Sequence, residues 1–170
     1  MDGDGQVTVR VAERIGEIDA AEWDACAGPE NPFLCHAFLS ALEDSGSVSP
    51  DTGWLPQHLV AETDVGAIVG VVPAYLKSHS QGEYVFDHGW ADAYERAGGS
   101  YYPKLQCSAP FSPVTGPRLI ARPDVDVDEA RSALLGGALT LCDRLGASSL
   151  HVTFPTQDEW DWMGDRGLLD

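Results

Sequence analysis

Residues 73–118 read PAYLKSHSQGEYVFDHGWADAYERAGGSYYPKLQCSAPFSPVTGPR, and the rest of the chain is organised around this stretch. It holds both lysines, Lys77 and Lys104, and two of the five histidines. Aromatic, ionisable and turn-forming residues are interleaved here without a sustained helical or strand period. Such a pattern is typical of a pocket rim, or of a long ordered loop that packs its tyrosines against the domain. The residue types alone leave both interpretations open.

On the N-terminal side, apolar periodicity predicts a strand, two helices and a hairpin. The strand spans 6–15, a helix capped by Asp19 spans 19–27, and a second helix starts at Asn31-Pro32 and ends at Gly46. A polar loop over 47–56 leads to the hairpin strands 57–63 and 67–76. Pro73 removes a ladder donor, so the pattern predicts a sheet edge or a bulge there.

On the C-terminal side, the sequence predicts a short strand over 83–87, a helical turn over 90–97 and a strand over 114–121. A long amphipathic helix follows, capped by Asp128 and ended by Gly146, with Gly136-Gly137 allowing close packing inside it. A strand over 148–154 and a helix opened by the capping box 156–159 complete the order. This order predicts an α/β fold.

Length and charge limit the function classes. The 170 residues are enough for one domain with a real core, and the net charge of −17 disfavours binding to nucleic acid. The sequence shows no apolar run near membrane-span length and no signal peptide, which predicts a cytoplasmic protein.

The four cysteines show neither CxxC spacing nor histidines at zinc-finger spacing. We therefore expect buried free thiols and no metal site. Cys107 lies in the central stretch, but no histidine is near it in sequence, which favours a small apolar filler over a nucleophile.

The element order resembles that of the GNAT acyltransferases. The 73–118 stretch, together with NPFLCHAFLSALEDSGS at 31–47, resembles the FemAB-like family of peptidoglycan biosynthesis and recognition, within the GNAT superfamily. The resemblance implies a mixed, mostly antiparallel central sheet with helices on both faces. It also implies that 1–170 is a single GNAT-like domain that lacks the last strands. This domain would be the N-terminal half of a two-domain protein, with a C-terminal GNAT-like half as its partner.

The resemblance to GNAT enzymes implies acyl-CoA as cofactor. These enzymes hold its pyrophosphate on a Q/R-x-x-G-x-G/A loop at a helix N-terminus. The corresponding residues here, 122–128, read RPDVDVD, so the phosphate-binding motif is absent and three aspartates oppose the phosphates. No cofactor is therefore assigned with certainty.

Candidate site residues all come from the central stretch. Asp87 and His88 are an adjacent carboxylate and imidazole, the pair that could supply a base for an amine, although either could simply cap the following helix. The candidate substrate-binding residues could hold an anionic group or stack on a ligand, or could be solvated charges and core aromatics: Lys77, His79, Tyr84, Trp90, Tyr101, Tyr102, Lys104 and Arg118.

Three functional hypotheses follow. The first is an N-acyltransferase or aminoacyltransferase that acts on an amine of a peptide or cell-wall precursor. The second is a non-catalytic half that recognises such a small-molecule or peptide acceptor, and the third is a half that only supports a catalytic partner domain. The acidic balance makes a tRNA-borne donor less expected than a small activated acyl donor.

Overall fold

A computed structural model of the protein describes residues 7–169. The strands form two four-stranded sheets. The strands are β1 (Thr8–Ala12), β2 (Trp54–Pro56), β3 (His58–Glu62), β4 (Ile68–Val72), β5 (Ala74–Lys77), β6 (Lys104–Cys107), β7 (Ile120–Ala121) and β8 (Leu150–Val152). The helices are α1 (Ala20–Ala27), α2 (His36–Asp44), α3 (His88–Arg96), α4 (Val127–Leu145) and α5 (Gln157–Gly164).

The first sheet has the order β1-β3-β4-β7, and its neighbouring strands are antiparallel. The second has the order β2-β5-β6-β8, and only its β6–β8 pair is parallel. The predicted mixed, mostly antiparallel α/β fold is therefore confirmed, with the strands divided between two sheets. The division falls at Pro73, which has no amide hydrogen for a ladder, and the chain passes there from β4 to β5.

Helices cover both faces of the first sheet because side chains alternate along its strands. Leu59 and Val72 pack with Leu134 of α4, whereas Val60 and Val71 pack in the cluster that contains Trp23 of α1.

The long helix α4 lies close to the first sheet. A Cβ at Gly70 would be 2.9 Å from Leu134 Cδ1, and one at Gly137 would be 2.7 Å from Val9 Cγ1. The predicted close-packing role is thus confirmed for Gly137, whereas a Cβ at Gly136 would meet nothing within 4 Å among the described residues.

Two helix starts differ from prediction, and a third has only part of the predicted capping box. Asp126, not Asp128, caps α4, because its carboxylate accepts from the amides of Asp128 and Glu129 at 3.0 Å. Asn31 caps a single 3₁₀ turn, and α2 begins only at His36. Thr156 caps α5 as predicted, but Glu159 does not complete the box, since its carboxylate bonds to backbone amides elsewhere.

The strand predictions around the central stretch were partly wrong. No strand forms over 83–87, because Glu83 and Asp87 both turn toward Lys104 and Tyr84 takes a left-handed φ of 58°. The strand predicted over 114–121 is reduced to Ile120–Ala121.

Two strands were missed. The interval 47–56, predicted as a polar loop, contains a 3₁₀ turn and β2. Strand β6 was not predicted, because all four of its residues are buried and give no polar–apolar alternation. Gln6, the first residue of the predicted N-terminal strand, lies outside the described residues.

Candidate functional site

Four ionisable side chains from the central stretch meet in the interior. Lys77 ends β5, Lys104 starts β6, and Glu83 and Asp87 come from the irregular segment between β5 and α3. Lys77 pairs with Lys104 in the β5–β6 register, so both lysines lie at the same end of the second sheet. These four residues, all almost fully buried, are called the charge cluster below.

Lys104 is the centre of the charge cluster. Its Nζ lies 2.8 Å from Glu83 Oε2 and donates to Asp87 Oδ2 at 2.6 Å. Tyr101 OH donates to the same Asp87 oxygen at 2.9 Å. Burial alone would lower the Lys104 pKa, but the contacts with Asp87 and Glu83 outweigh it and raise that pKa. Lys104 is therefore charged at neutral pH and contacts both carboxylates.

Lys77 has a different environment. Its Nζ lies 3.6 Å from the centroid of a Trp54 ring and donates to the Gln81 carbonyl at 3.3 Å. Burial is the main cause that lowers the Lys77 pKa to about 8, and the Lys104 charge adds to it while Glu83 opposes it. Lys77 is thus the member of the cluster that gives up a proton most easily.

The two carboxylates differ in basicity. Burial raises the pKa of Glu83 despite the neighbouring lysines. Burial acts in the same direction on Asp87, but hydrogen bonds from Lys104 and Tyr101 outweigh it and lower the Asp87 pKa. Asp87 consequently stays ionised and is a poor proton acceptor, which counts against its predicted role as the base.

A cavity of about 420 Å³ opens beside the charge cluster. It is lined by Val85, Asp87, Trp90, Tyr94, Tyr101, Ser148, Ser149 and His151. Asp87 is only 5% exposed, yet its Oδ1 has no hydrogen-bond partner among residues 7–169. Trp90 is 76% exposed, so the cavity joins a buried carboxylate to an open aromatic rim. We call it the aromatic cavity.

The wall opposite the aromatic rim comes from β8 and the residue before it. Ser149 Oγ and His151 Nε2 are 2.7 Å apart, as expected for side chains two positions apart on an extended segment. Burial and then the Lys104 charge lower the His151 pKa to about 4. The imidazole is therefore neutral near pH 7.

The structure brings Asp87, Trp90, Tyr101 and Lys104 of the predicted residues together at the aromatic cavity or directly behind it. Tyr102 contacts Tyr101 edge-on, with ring centroids 5.0 Å apart.

The other candidates on this side of the domain lie apart from the aromatic cavity. Lys77 is on the Trp54 side of the charge cluster, and the ring of His79 packs against Gly53. His88 begins α3 and is exposed outside the cavity lining, and exposed Tyr84 belongs to the turn between the two carboxylates. Asp87 does not cap α3 through its side chain.

Arg118 does not belong to this site. Its guanidinium is fully buried and donates to the carbonyls of Thr153, Pro117 and Val114 at 2.9, 3.1 and 2.7 Å. The prediction that Arg118 holds an anionic ligand is corrected for this reason: the side chain is fully buried, and each of its three nitrogens already donates to the chain.

The sequence analysis did not identify two residues of the site. Glu83 was treated as the start of a strand and His151 as a core residue, yet one pairs with Lys104 and the other lines the aromatic cavity. The signal for Glu83 was a lone acid close to Asp87 in a segment without regular period. The signal for His151 was the polar pair Ser149 and His151 on alternate positions of a short strand.

All four cysteines lie in the described part of the chain and are free. Cys107 is fully buried, and burial raises its pKa to about 12, so its thiol is unreactive as expected. No three His, Cys, Asp or Glu side chains within 7–169 come together to hold a metal ion.

A second cavity, of about 730 Å³, lies beside the N-terminus of α4, where the GNAT resemblance would place a pyrophosphate. Its lining includes Asp64, Asp124, Asp126 and Glu129. Asp126 already accepts from the first free amides of α4, and Arg122 is paired with Asp124 at 3.0 Å. These residues do not fit a pyrophosphate, because the amide donors are taken and the lining is acidic.

The fold and the site define a mixed α/β domain with a charge-backed aromatic cavity. Residues 14–170 match the model of the FemAB-like family, described as peptidoglycan biosynthesis and recognition. The chain belongs to this family, as the sequence predicted.

Among solved structures, a crystal structure of a Trypanosoma brucei acetyltransferase aligns with 97% of this chain and 94% of its own length. The identity is 13% and the TM-score is 0.49. A comparison with curated proteins gives no match. Among residues 7–169, no helix combines the length and apolarity needed to cross a membrane.

Proposed function

We propose that the chain is the acceptor-binding part of a FemAB-like N-acyltransferase or aminoacyltransferase. In this proposal, the aromatic cavity binds the amine of a peptide or cell-wall precursor. The observation that carries the proposal is Asp87, a buried and ionised carboxylate whose Oδ1 is unpaired among the described residues and which lines a cavity with aromatic walls. A buried acceptor atom without a partner calls for an explanation, and a donor from a ligand in the adjoining cavity would supply one.

The chemistry of the walls favours an ammonium group over other donors. Asp87 offers a charge-assisted hydrogen bond, and Trp90, Tyr94 and Tyr101 offer ring faces that attract cations. Lys104 stands behind Asp87 and keeps it ionised at neutral pH, so the carboxylate is ready before the ligand arrives. The net charge of −17 also favours the approach of cationic groups.

The experiment is calorimetric titration with a short lysine-containing peptide and with the same peptide acetylated at its amines. We expect the free amine to bind and the acetylated peptide to bind at least ten-fold more weakly, because a hydrogen bond to a charged group contributes about 1.5–3 kcal/mol. Asp87→Asn should weaken amine binding to a similar extent. Trp90→Ala should weaken it about two- to five-fold, as expected for an exposed cation–π contact of about 0.5–1 kcal/mol.

Asp92→Asn is the matched control, because Asp92 is an exposed aspartate on the same helix as Trp90. It should bind the amine like the parent chain. Melting temperatures of all variants separate loss of binding from loss of folding. Equal affinity for the free and acetylated peptides, or an unchanged affinity in a folded Asp87→Asn variant, would rule out the proposed amine site.

The acidic cavity at α4 favours a second candidate, a recognition half whose acyl donor is bound elsewhere. The Asp126 carboxylate accepts hydrogen bonds from the first amides of α4, which would otherwise be available to a pyrophosphate. Under this candidate, acetyl-CoA should not raise the melting temperature of the chain, whereas the amine peptide should. A clear stabilisation by acetyl-CoA would favour the complete transferase instead.

A further inference from the structure

The rings that line the aromatic cavity meet at steep angles. Trp90 and Tyr94 are at positions i and i+4 of α3, so both project from the same face of this helix. The Tyr94 ring lies 6.3 Å from that of Tyr101 at an interplanar angle of 72°. The Tyr101 ring in turn lies 6.2 Å from that of His151 at 74°. The cavity therefore has ring walls in more than one orientation.

Core packing does not account for the two rings that α3 supplies. Trp90 is 76% exposed and Tyr94 is 49% exposed, and the buried residue of this helix is the small Ala91. Large aromatic side chains that stay exposed side by side at a cavity mark an interaction site. The faces of these rings are therefore open to a ligand.

The charge of the lining is negative and comes from one group. Among the residues of 7–169 that line the cavity, Asp87 alone is charged at neutral pH, since burial and then the Lys104 charge lower the pKa of His151 to about 4. Asp87 Oδ2 already accepts from Lys104 and Tyr101, and Asp87 Oδ1 is buried without a partner among the described residues. The lining thus suits a cation that needs one hydrogen-bond acceptor.

The hydroxyl groups on the opposite wall are already engaged. Ser148 Oγ donates to the backbone carbonyl of Tyr101, and Ser149 Oγ lies 2.7 Å from His151 Nε2. A primary ammonium group carries three N–H donors and is strongly hydrated, so it loses hydrogen bonds to water that this lining replaces only in part.

Methyl groups on the nitrogen change this balance. Each methyl group replaces one N–H donor with apolar surface and leaves the positive charge in place, and methylated ammonium ions bind well between aromatic ring faces. A dimethylated ammonium keeps one N–H for Asp87 and turns its methyl groups to the rings. A trimethylated ammonium has no N–H, so it would leave Asp87 Oδ1 without a donor.

We propose that the aromatic cavity prefers an N-methylated ammonium group to a primary one, with a dimethylated amine as its best ligand. The inference rests on the proposed function in that it uses the same carboxylate, Asp87. It adds a consequence for acyl transfer. A dimethylated side-chain amine has no proton to lose on forming an amide, so it would occupy the acceptor site without being acylated.

The test is calorimetric titration with peptides of one sequence that have an acetylated N-terminus and a single lysine carrying no, one, two or three methyl groups. We expect the dimethyl peptide to bind about five-fold or more tightly than the unmodified peptide, with the other two between them. A peptide with the uncharged carbon isostere of trimethyllysine has the same shape as the trimethyl peptide. It should bind about five-fold or more weakly, because the ring faces attract the charge.

Variants of one ring test where the methyl groups bind. Trp90→Ala should weaken binding of the dimethyl peptide about five-fold, and Trp90→Phe should recover part of the loss because it restores a ring face. Trp160→Ala is the matched control, because Trp160 is an exposed tryptophan on α5 outside the cavity lining. It should bind like the parent chain, and melting temperatures of all variants report whether each one folds.

A dimethyl peptide that binds no more tightly than the unmodified peptide would overturn the inference, as would equal affinity for the trimethyl peptide and its carbon isostere. This failure is distinguishable from failure of the proposed function. If the unmodified peptide bound more tightly than its lysine-acetylated form but methylation gave no gain, the amine site would stand and this inference would fall. Equal affinity for the unmodified and acetylated peptides would rule out the amine acceptor, whatever the methylated peptides do.

Discussion

Replacing Lys104 by methionine tests the charge cluster most directly. The change keeps the length and apolar stem of the side chain and removes the charge that Glu83 and Asp87 share at 2.8 and 2.6 Å. Asp87 would retain the Tyr101 hydroxyl, and Glu83 would retain the more distant Lys77 charge. Two buried carboxylates would then lack their principal partner.

The expected loss of stability is large. Removing one partner of a buried ion pair costs about 3–5 kcal/mol, because an uncompensated charge remains in the interior. With an unfolding entropy near 2.1 cal/mol/K per residue, a chain of 170 residues would melt about 8–14 °C lower. Thermal and urea unfolding at pH 7, followed by circular dichroism, measure this directly.

Arg10→Met is the matched control. Arg10 Nε lies 2.7 Å from Glu62 Oε1, a distance like those at Lys104, but the Arg10 side chain is 40% exposed. Water and salt already screen this pair, so its loss should cost about 0–1 kcal/mol. If Lys104→Met melted within about 2 °C of the Arg10→Met variant, the burial argument would be wrong.

Lowering the pH should reduce the difference in unfolding free energy between the Lys104→Met variant and the parent chain. In the parent chain the Asp87 pKa is lowered, so the stability that Asp87 contributes is present above its ordinary value of 3.8 and is lost as the pH falls further. In the variant, both carboxylates can become neutral in acid and the unpaired charges vanish. Adding Glu83→Gln and Asp87→Asn to Lys104→Met should likewise recover part of the loss at pH 7.

Three further predictions concern other buried groups. Folding lowers the Lys77 pKa from 10.5 to about 8, so the parent chain should gain stability as the pH rises through this range. Melting temperatures measured across the range should show that Lys77→Met lacks this gain. Folding lowers the His151 pKa from 6.5 to about 4, so lowering the pH through this range should destabilise the parent chain more than the His151→Gln variant. If the unfolding free energies of the two proteins fell equally with pH, this prediction would be wrong. Glu159→Ala should cost about 2–4 kcal/mol in urea unfolding, since the amides of Arg118 and Leu119 lose their acceptor, whereas Glu159→Gln should recover much of it.

The sequence predicted those elements whose signals are local. Helix α4 was predictable because its apolar positions recur at helical spacing and Gly146 ends it in the left-handed conformation. The β3–β4 hairpin was predictable because a turn at Asp64 to Gly66 separates two apolar runs. Pro73 was correctly identified as an irregular point, but its larger consequence, the passage from one sheet to the other, depends on how distant strands pair.

The site was only half predictable for the same reason. Asp87, Trp90 and Tyr101 could be named because carboxylate and aromatic residues stood out in the central stretch. The contact between Lys104 and Glu83 could not be predicted, because it requires β6 to pair with β5 and the intervening segment to turn back. His151 reaches the cavity only because β8 lies parallel to β6, and no local pattern encodes this pairing.

The position of the charge cluster beside the aromatic cavity explains its presence better than a contribution to folding stability does. Well-packed apolar side chains in place of a buried ion pair are often as stabilising or more so. Yet both lysines of this acidic chain are fully buried beside Glu83 and Asp87. The Tyr84 backbone between the two carboxylates adds a conformation that costs on the order of 1–3 kcal/mol.

What this arrangement provides is one ionised carboxylate beside the aromatic cavity. Asp87 Oδ2 accepts hydrogen bonds from Lys104 and Tyr101, and Asp87 Oδ1 is buried without a hydrogen-bond partner among the described residues. An apolar core would provide more stability but no such carboxylate. Burial and, after it, the same lysine charge lower the His151 pKa, so the buried cation acts on both the proposed amine anchor and the imidazole of the cavity wall. Local departures from the most stable packing are expected where a chain positions reactive groups, and here they converge on Lys104.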